Sequence, residues 1–78
     1  MIHMKIKKMI FEIRKAYNQK ILTKLIYQKS NGEIVCRFVY IRKMYEHYFI
    51  GYDIKARKNK RFNVNSILSI STNWEEKK

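Results

Sequence analysis

Two β-forming runs separated by Asn31-Gly32 restrict the fold of this chain more than any other feature. Residues 21–27, Ile-Leu-Thr-Lys-Leu-Ile-Tyr, form the first run, and Ile34, Val35, Phe38, Val39 and Ile41 punctuate the second. β-Branched and aromatic side chains of this kind fit a pleated, half-buried surface. Asn-Gly tolerates positive φ at both central positions of a type I′ turn, whose twist matches that of the flanking strands. The pattern predicts a hairpin with a two-residue turn, a first arm over 21–27 and a second over 33–43.

Further along, a polar break at 42–46 precedes a third strand, His47-Tyr48-Phe49-Ile50-Gly51-Tyr52. Residues 55–61 read as an exposed connection, after which Phe62 and Val64 resume an inward alternation. Asn65-Ser66 marks a turn, Leu68 and Ile70 share one face of a last strand over 67–72, and 73–78 form a short tail. Before the first strand, Ile6, Met9, Ile10, Ile13 and Tyr17 recur at three- and four-residue intervals. That spacing places them on one stripe of a helix over about 5–18. One N-terminal α-helix and about five antiparallel strands, with no Pro and two Gly, predict a mainly β fold, a small barrel or strongly curled sheet. Closing such a sheet removes unpaired edges. With 78 residues, the chain is expected to be one domain, 1–78.

Eighteen Lys and Arg stand against six Asp and Glu, a formal net charge of +12. Self-repulsion of that size destabilises a small globule, so an anionic partner is expected. The single cysteine, Cys36, excludes an intrachain disulfide and a multi-thiolate zinc site, and His3 and His47 are the only histidines. No cofactor and no metal are expected. No run approaches the roughly 20 apolar residues of a membrane span. The expected setting is cytoplasmic, with no membrane partner.

The densest charge lies over 55–61, where Lys55, Arg57, Lys58, Lys60 and Arg61 make five of seven residues basic. Such a run can neutralise several phosphates, although most charge runs are simply solvated loops. Tyr40, Tyr45, Tyr48 and Tyr52 interleave with Arg37, Arg42 and Arg61 along the middle strands. Aromatic faces stack on unpaired bases for roughly 1–3 kcal/mol each, which suits a single strand lying across an open sheet face. Core or rim packing is the competing role for each tyrosine. Phe11 lies off the apolar helix stripe, where it could pair two copies into a homodimer.

Ile13-Arg14-Lys15-Ala16-Tyr17, Leu25-Ile26-Tyr27, Asn31-Gly32, Arg37-Phe38-Val39, His47-Tyr48-Phe49-Ile50-Gly51-Tyr52-Asp53, Arg61-Phe62-Asn63-Val64 and Ile67 follow one another in the order and spacing of a WYL domain. His47-Tyr48-Phe49 occupies the place of the tripeptide that names that family. The chain resembles a stand-alone, divergent member over residues 13–72. The resemblance implies an SH3-like or Sm-like barrel with a leading helix, and a sensor binding single-stranded nucleic acid or nucleotides through basic and aromatic residues. WYL domains often accompany helix-turn-helix regulators of phage defence, CRISPR systems and DNA damage.

The expected function is therefore a non-enzymatic module that binds nucleic acid, single-stranded RNA or DNA or a nucleoprotein, and regulates, assists or inhibits a nucleic-acid enzyme. Its expected binding residues are Arg37, Arg42, Tyr48, Lys55, Arg57, Lys58, Lys60 and Arg61. One alternative is a small ribonuclease toxin using His47 and Tyr48 beside Arg37 and Arg61. Another is an interaction module whose basic face binds an acidic protein.

Overall fold

The computed structural model describes the backbone of residues 2–72 and the side chains of residues 7–72. Its elements run α1 (Ile2–Gln19), β1 (Thr23–Gln28), β2 (Ile34–Met44), β3 (Tyr48–Asp53), β4 (Lys58–Asn63), a 3₁₀ turn (Val64–Ser66) and β5 (Ile67–Ser71). The predicted tail at 73–78 lies outside the described residues. All five strands are antiparallel in the order β4-β3-β2-β1-β5.

Among the described side chains of α1, Met9, Ile13 and Ala16 are buried, spaced so that they share one face. They join Leu25, Val39, Ile41, Phe49, Phe62 and Ile67 in a single core. Ala16 takes the inward position that the apolar spacing assigned to Tyr17, which is 39% exposed. A methyl group there lets the last helical turn come close to the sheet, and Tyr17, one residue around the helix, swings out to the rim. The helix ends on Lys20, whose φ of 56° is left-handed. Ile21 then donates its N–H to the Ala16 carbonyl at 3.1 Å, the six-to-one bond of a Schellman cap.

The hairpin forms as expected, but its turn differs by one residue. Lys29 donates its N–H to the Glu33 carbonyl at 2.7 Å, and Gly32 donates to Lys29 at 2.9 Å. The loop is therefore Ser30-Asn31-Gly32, and only Gly32 carries positive φ, 92°. Three-residue loops of this type end on a left-handed residue and a bulge. The Asn31 side chain does not need the left-handed region here, because its Oδ1 accepts the Glu33 N–H at 2.9 Å. The slip pairs Gln28 with Ile34, and in a sheet one residue of register decides which face each side chain occupies.

The sheet curls strongly. Tyr27 on β1 and Phe62 on β4 lie three strands apart, yet their ring centroids are 5.2 Å apart. A flat sheet would hold those positions about 14 Å apart. Bulges, which bend and twist strands, occur at Ile41/Lys43 between β2 and β3 and at Ile26/Tyr27 between β1 and β5. The expected closed barrel is not reached, because β4 and β5 remain the two edges of the sheet. The 3₁₀ turn carries the chain across the gap, and Phe62, Tyr27 and Ile67 line the seam that backbone bonds would otherwise close.

A second correction concerns 55–61. Lys58, Lys60 and Arg61 belong to β4, and the connection is only residues 54–57. Alternation explains the difference: Phe62 alone is apolar enough to announce this strand, while its other positions face solvent or a buried charge.

Gly51 on β3 allows the curl. A Cβ there would lie 3.2 Å from Phe62 Cε2 and 3.3 Å from Val39 Cβ, and both neighbours are buried. Gly51→Ala should therefore destabilise the fold by about 1–3 kcal/mol through overpacking, measured as a lowered urea midpoint with unchanged slope.

Candidate nucleic-acid interface

Strand register assigns each cation to one of two faces. On the concave face, with the core, stand Arg37 opposite Leu25, Lys58 opposite Asp53 and Lys60 opposite Gly51. On the convex face stand Lys24 opposite Phe38, Tyr40 opposite Tyr52, Lys43 opposite Ile50, Ile50 opposite Arg61, and Tyr48 opposite Asn63. The eight residues singled out in the sequence are thus divided. Arg61 and Tyr48 meet on the convex side, Arg42 lies on the same side against Tyr52, Arg37, Lys58 and Lys60 lie on the concave side, and Lys55 and Arg57 occupy the connecting turn.

The concave group is organised by Asp53, which is fully buried. Its Oδ1 accepts the N–H groups of Lys55 at 3.0 Å and Ala56 at 3.1 Å, and its carbonyl accepts the Arg57 N–H at 2.7 Å. These bonds fix the turn and hold Arg57 at a φ of 60°, a conformation costly for a residue with a Cβ. Oδ2 faces Lys60 Nζ at 3.2 Å and Arg37 Nε at 3.4 Å. These contacts are ionic rather than aligned hydrogen bonds, since Oδ2 has no hydrogen-bond partner. Burial pushes the carboxyl upward, but the Ala56 N–H, Lys60 and the Lys55 N–H together outweigh it and hold the pKa below its ordinary value of 3.8. Arg37 and Lys60 are consequently part-neutralised within the fold.

The convex group is a stack. Arg61 Cζ lies 4.1 Å from the centroid of the Tyr48 ring, approaching from β4. From the β2–β3 turn, Tyr45 stacks on Tyr48 with centroids 4.7 Å apart and planes 17° from parallel. Tyr48 therefore contacts both Arg61 and Tyr45. Arg42, exposed at the β2 bulge, has Cζ 5.5 Å from the Tyr52 centroid. Tyr40 is 37% exposed beside Tyr52. Lys24 and Lys43 were missed in the sequence: Lys24 lies on β1, away from the basic run, and strict alternation would send Lys43 to the face opposite Tyr40, since only the bulge at Ile41/Lys43 brings the two to one side.

His47 is exposed, with Nε2 3.8 Å from Glu46. The four residues of the ribonuclease alternative are not brought to one point, because Arg37 lies on the concave face and Arg61 on the convex. Phe11 is exposed on α1, 65%. Among the described residues no group of His, Cys, Asp and Glu could hold a metal ion, and no helix is long and apolar enough to cross a membrane.

Neither the known protein families nor the curated proteins contain a match to this sequence. Among solved structures, the fold is similar to proteasome accessory factor B/C (PafBC) of Arthrobacter aurescens, with a TM-score of 0.79 and 19% identity. The match covers 90% of this chain and 12% of that one. At that identity the likeness concerns the fold alone, and this chain corresponds to only a small part of PafBC.

Asp53 also sets an acid limit on stability. Its folded pKa lies below the unfolded value, so its contribution is complete above about pH 4 and is lost as pH falls toward the folded pKa. Asp53→Asn should cost about 1–3 kcal/mol at pH 7, and the gap from wild type should narrow at pH 3, as urea unfolding at both pH values will show.

Proposed function

We propose that this chain is a non-enzymatic nucleic-acid-binding module that holds single-stranded RNA or DNA on the convex face of its sheet. The observation that carries the proposal is that face itself: Tyr40, Tyr52 and Ile50 lie among Lys24, Arg42, Lys43 and Arg61, with no carboxylate at any strand position on it. Among the described residues, no element packs there, because the helix joins the core on the other side. Cations over a low, aromatic floor bind phosphate and base of an unpaired strand together, with little regard for sequence.

Lys55 and Arg57, at the turn, and Lys58 extend the positive rim, while Arg37 and Lys60 act mainly through Asp53. The resemblance to WYL domains and the fold shared with PafBC support a regulatory or accessory role toward a nucleic-acid enzyme, of the kind found in phage-defence or CRISPR systems. In this reading the exposed Phe11 pairs two copies through their helices.

Neutralising about five phosphates makes affinity fall by about two to three decades between roughly 50 and 200 mM salt. Fluorescence anisotropy with labelled oligothymidylate tests this, and flat salt dependence would overturn it. Tyr52→Ala should weaken binding by roughly 5- to 150-fold, the loss of one stacked base, with the fold checked by circular dichroism.

A further inference from the structure

The convex face does not end at β2. This strand has 11 residues and β1 has six, so their ladder stops at the pair Thr23–Val39. Beyond Val39, β2 continues to Met44 with β3 on one side and no strand on the other. The last turns of α1 flank this free edge and leave two adjoining clefts, of about 360 and about 500 Å³. Tyr17 and Asn18 line both. The first also carries Lys20, Tyr40 and Arg42, and the second Arg14, Tyr45 and Glu46.

The composition of this channel matches one ligand chemistry. Arg14, Lys20 and Arg42 face a single carboxylate, Glu46, and Tyr17, Tyr40 and Tyr45 present half-open rings, 39%, 37% and 46% exposed. A helix C-terminus on its own repels anions; here Lys20 stands immediately after the last helical residue, Gln19, and offsets that field, while Arg14, six residues before Lys20, adds positive charge to the second cleft. Tyr40 and Arg42 belong both to the channel and to the convex face, so the two surfaces are continuous.

Resting on the reading above, we infer that a bound single strand leaves the convex face over Tyr40, crosses the free edge of β2 and continues into the channel. There Tyr17 stacks on a base, and Arg14 and Lys20 take the flanking phosphates. The channel is thus an extension subsite, occupied only by strands long enough to span both surfaces.

Anisotropy with labelled oligothymidylates of about 4 and about 16 nucleotides, the range that one small nucleic-acid-binding fold accommodates, tests the inference at fixed salt. Tyr17→Ala should weaken the long oligonucleotide roughly 5- to 150-fold and the short one far less. Arg14→Gln with Lys20→Gln should lower the salt slope of the long oligonucleotide by about 1.4, two single-strand phosphates. If Tyr52→Ala weakens the long strand but Tyr17→Ala leaves it unchanged, or weakens both lengths equally, the subsite is overturned while the convex-face reading stands. If the wild type binds neither length at low salt, both fall.

Discussion

The packing of one ring, Phe62, governs the shape of this protein. It meets Tyr27 edge-on across the seam, stacks on Phe49 with centroids 5.4 Å apart, and lies over the bare Cα of Gly51. Without that contact, β4 would have no apolar anchor, since the rest of the strand is Lys, Asn, Lys, Arg and Asn. The curl that Phe62 holds makes one face concave, and the concave face gives the helix a surface to cover. Covering one face leaves the other open, so the position of the candidate interface follows from the core.

Asp53 does for charge what Phe62 does for packing. Six carboxylates cannot balance 18 cations, and Asp53, the one buried among the described residues, is placed where it acts on several groups at once. It orders the β3–β4 turn through two backbone N–H groups and draws in Lys60 and Arg37. Gly51-Tyr52-Asp53, of which only Asp53 entered the sequence reading solely through a resemblance, thus combines three separate duties. Gly51 admits the curl, Tyr52 faces outward, and Asp53 closes the turn and neutralises the inner cations.

Much of this was legible from residue pattern. The helix, the count of five strands and the hairpin around Asn31-Gly32 follow from periodicity and turn chemistry; the sheet order, which sets β1 between β2 and β5, does not. The misses have local causes. β4 hid inside a basic run because its single core contact, Phe62, gives no alternation to read. The Asn31-Gly32 loop took three residues because a side-chain bond let Asn31 avoid positive φ. Of the candidate site, the residue types were visible but not their sides: charge composition carries no face label, and a strand such as β4 sends Lys60 and Arg61 in opposite directions.

The distribution of charge explains why the convex face, rather than the whole surface, is left uncompensated. Glu12 accepts the Thr72 hydroxyl at 2.9 Å, Glu33 pairs with Lys29 at 3.5 Å, Glu46 lies beside His47, and Asp53 serves the inner cations. Each described carboxylate is thus engaged away from Lys24, Lys43 and Arg61. Those three are splayed by the curl, because a convex surface carries side chains apart while a concave one brings them together. Standing on three different strands, β1, β2 and β4, they leave a field extended along the face rather than gathered at one point. Such a field draws in an extended polyanion that can touch several cations in turn better than a compact anion that can reach only one.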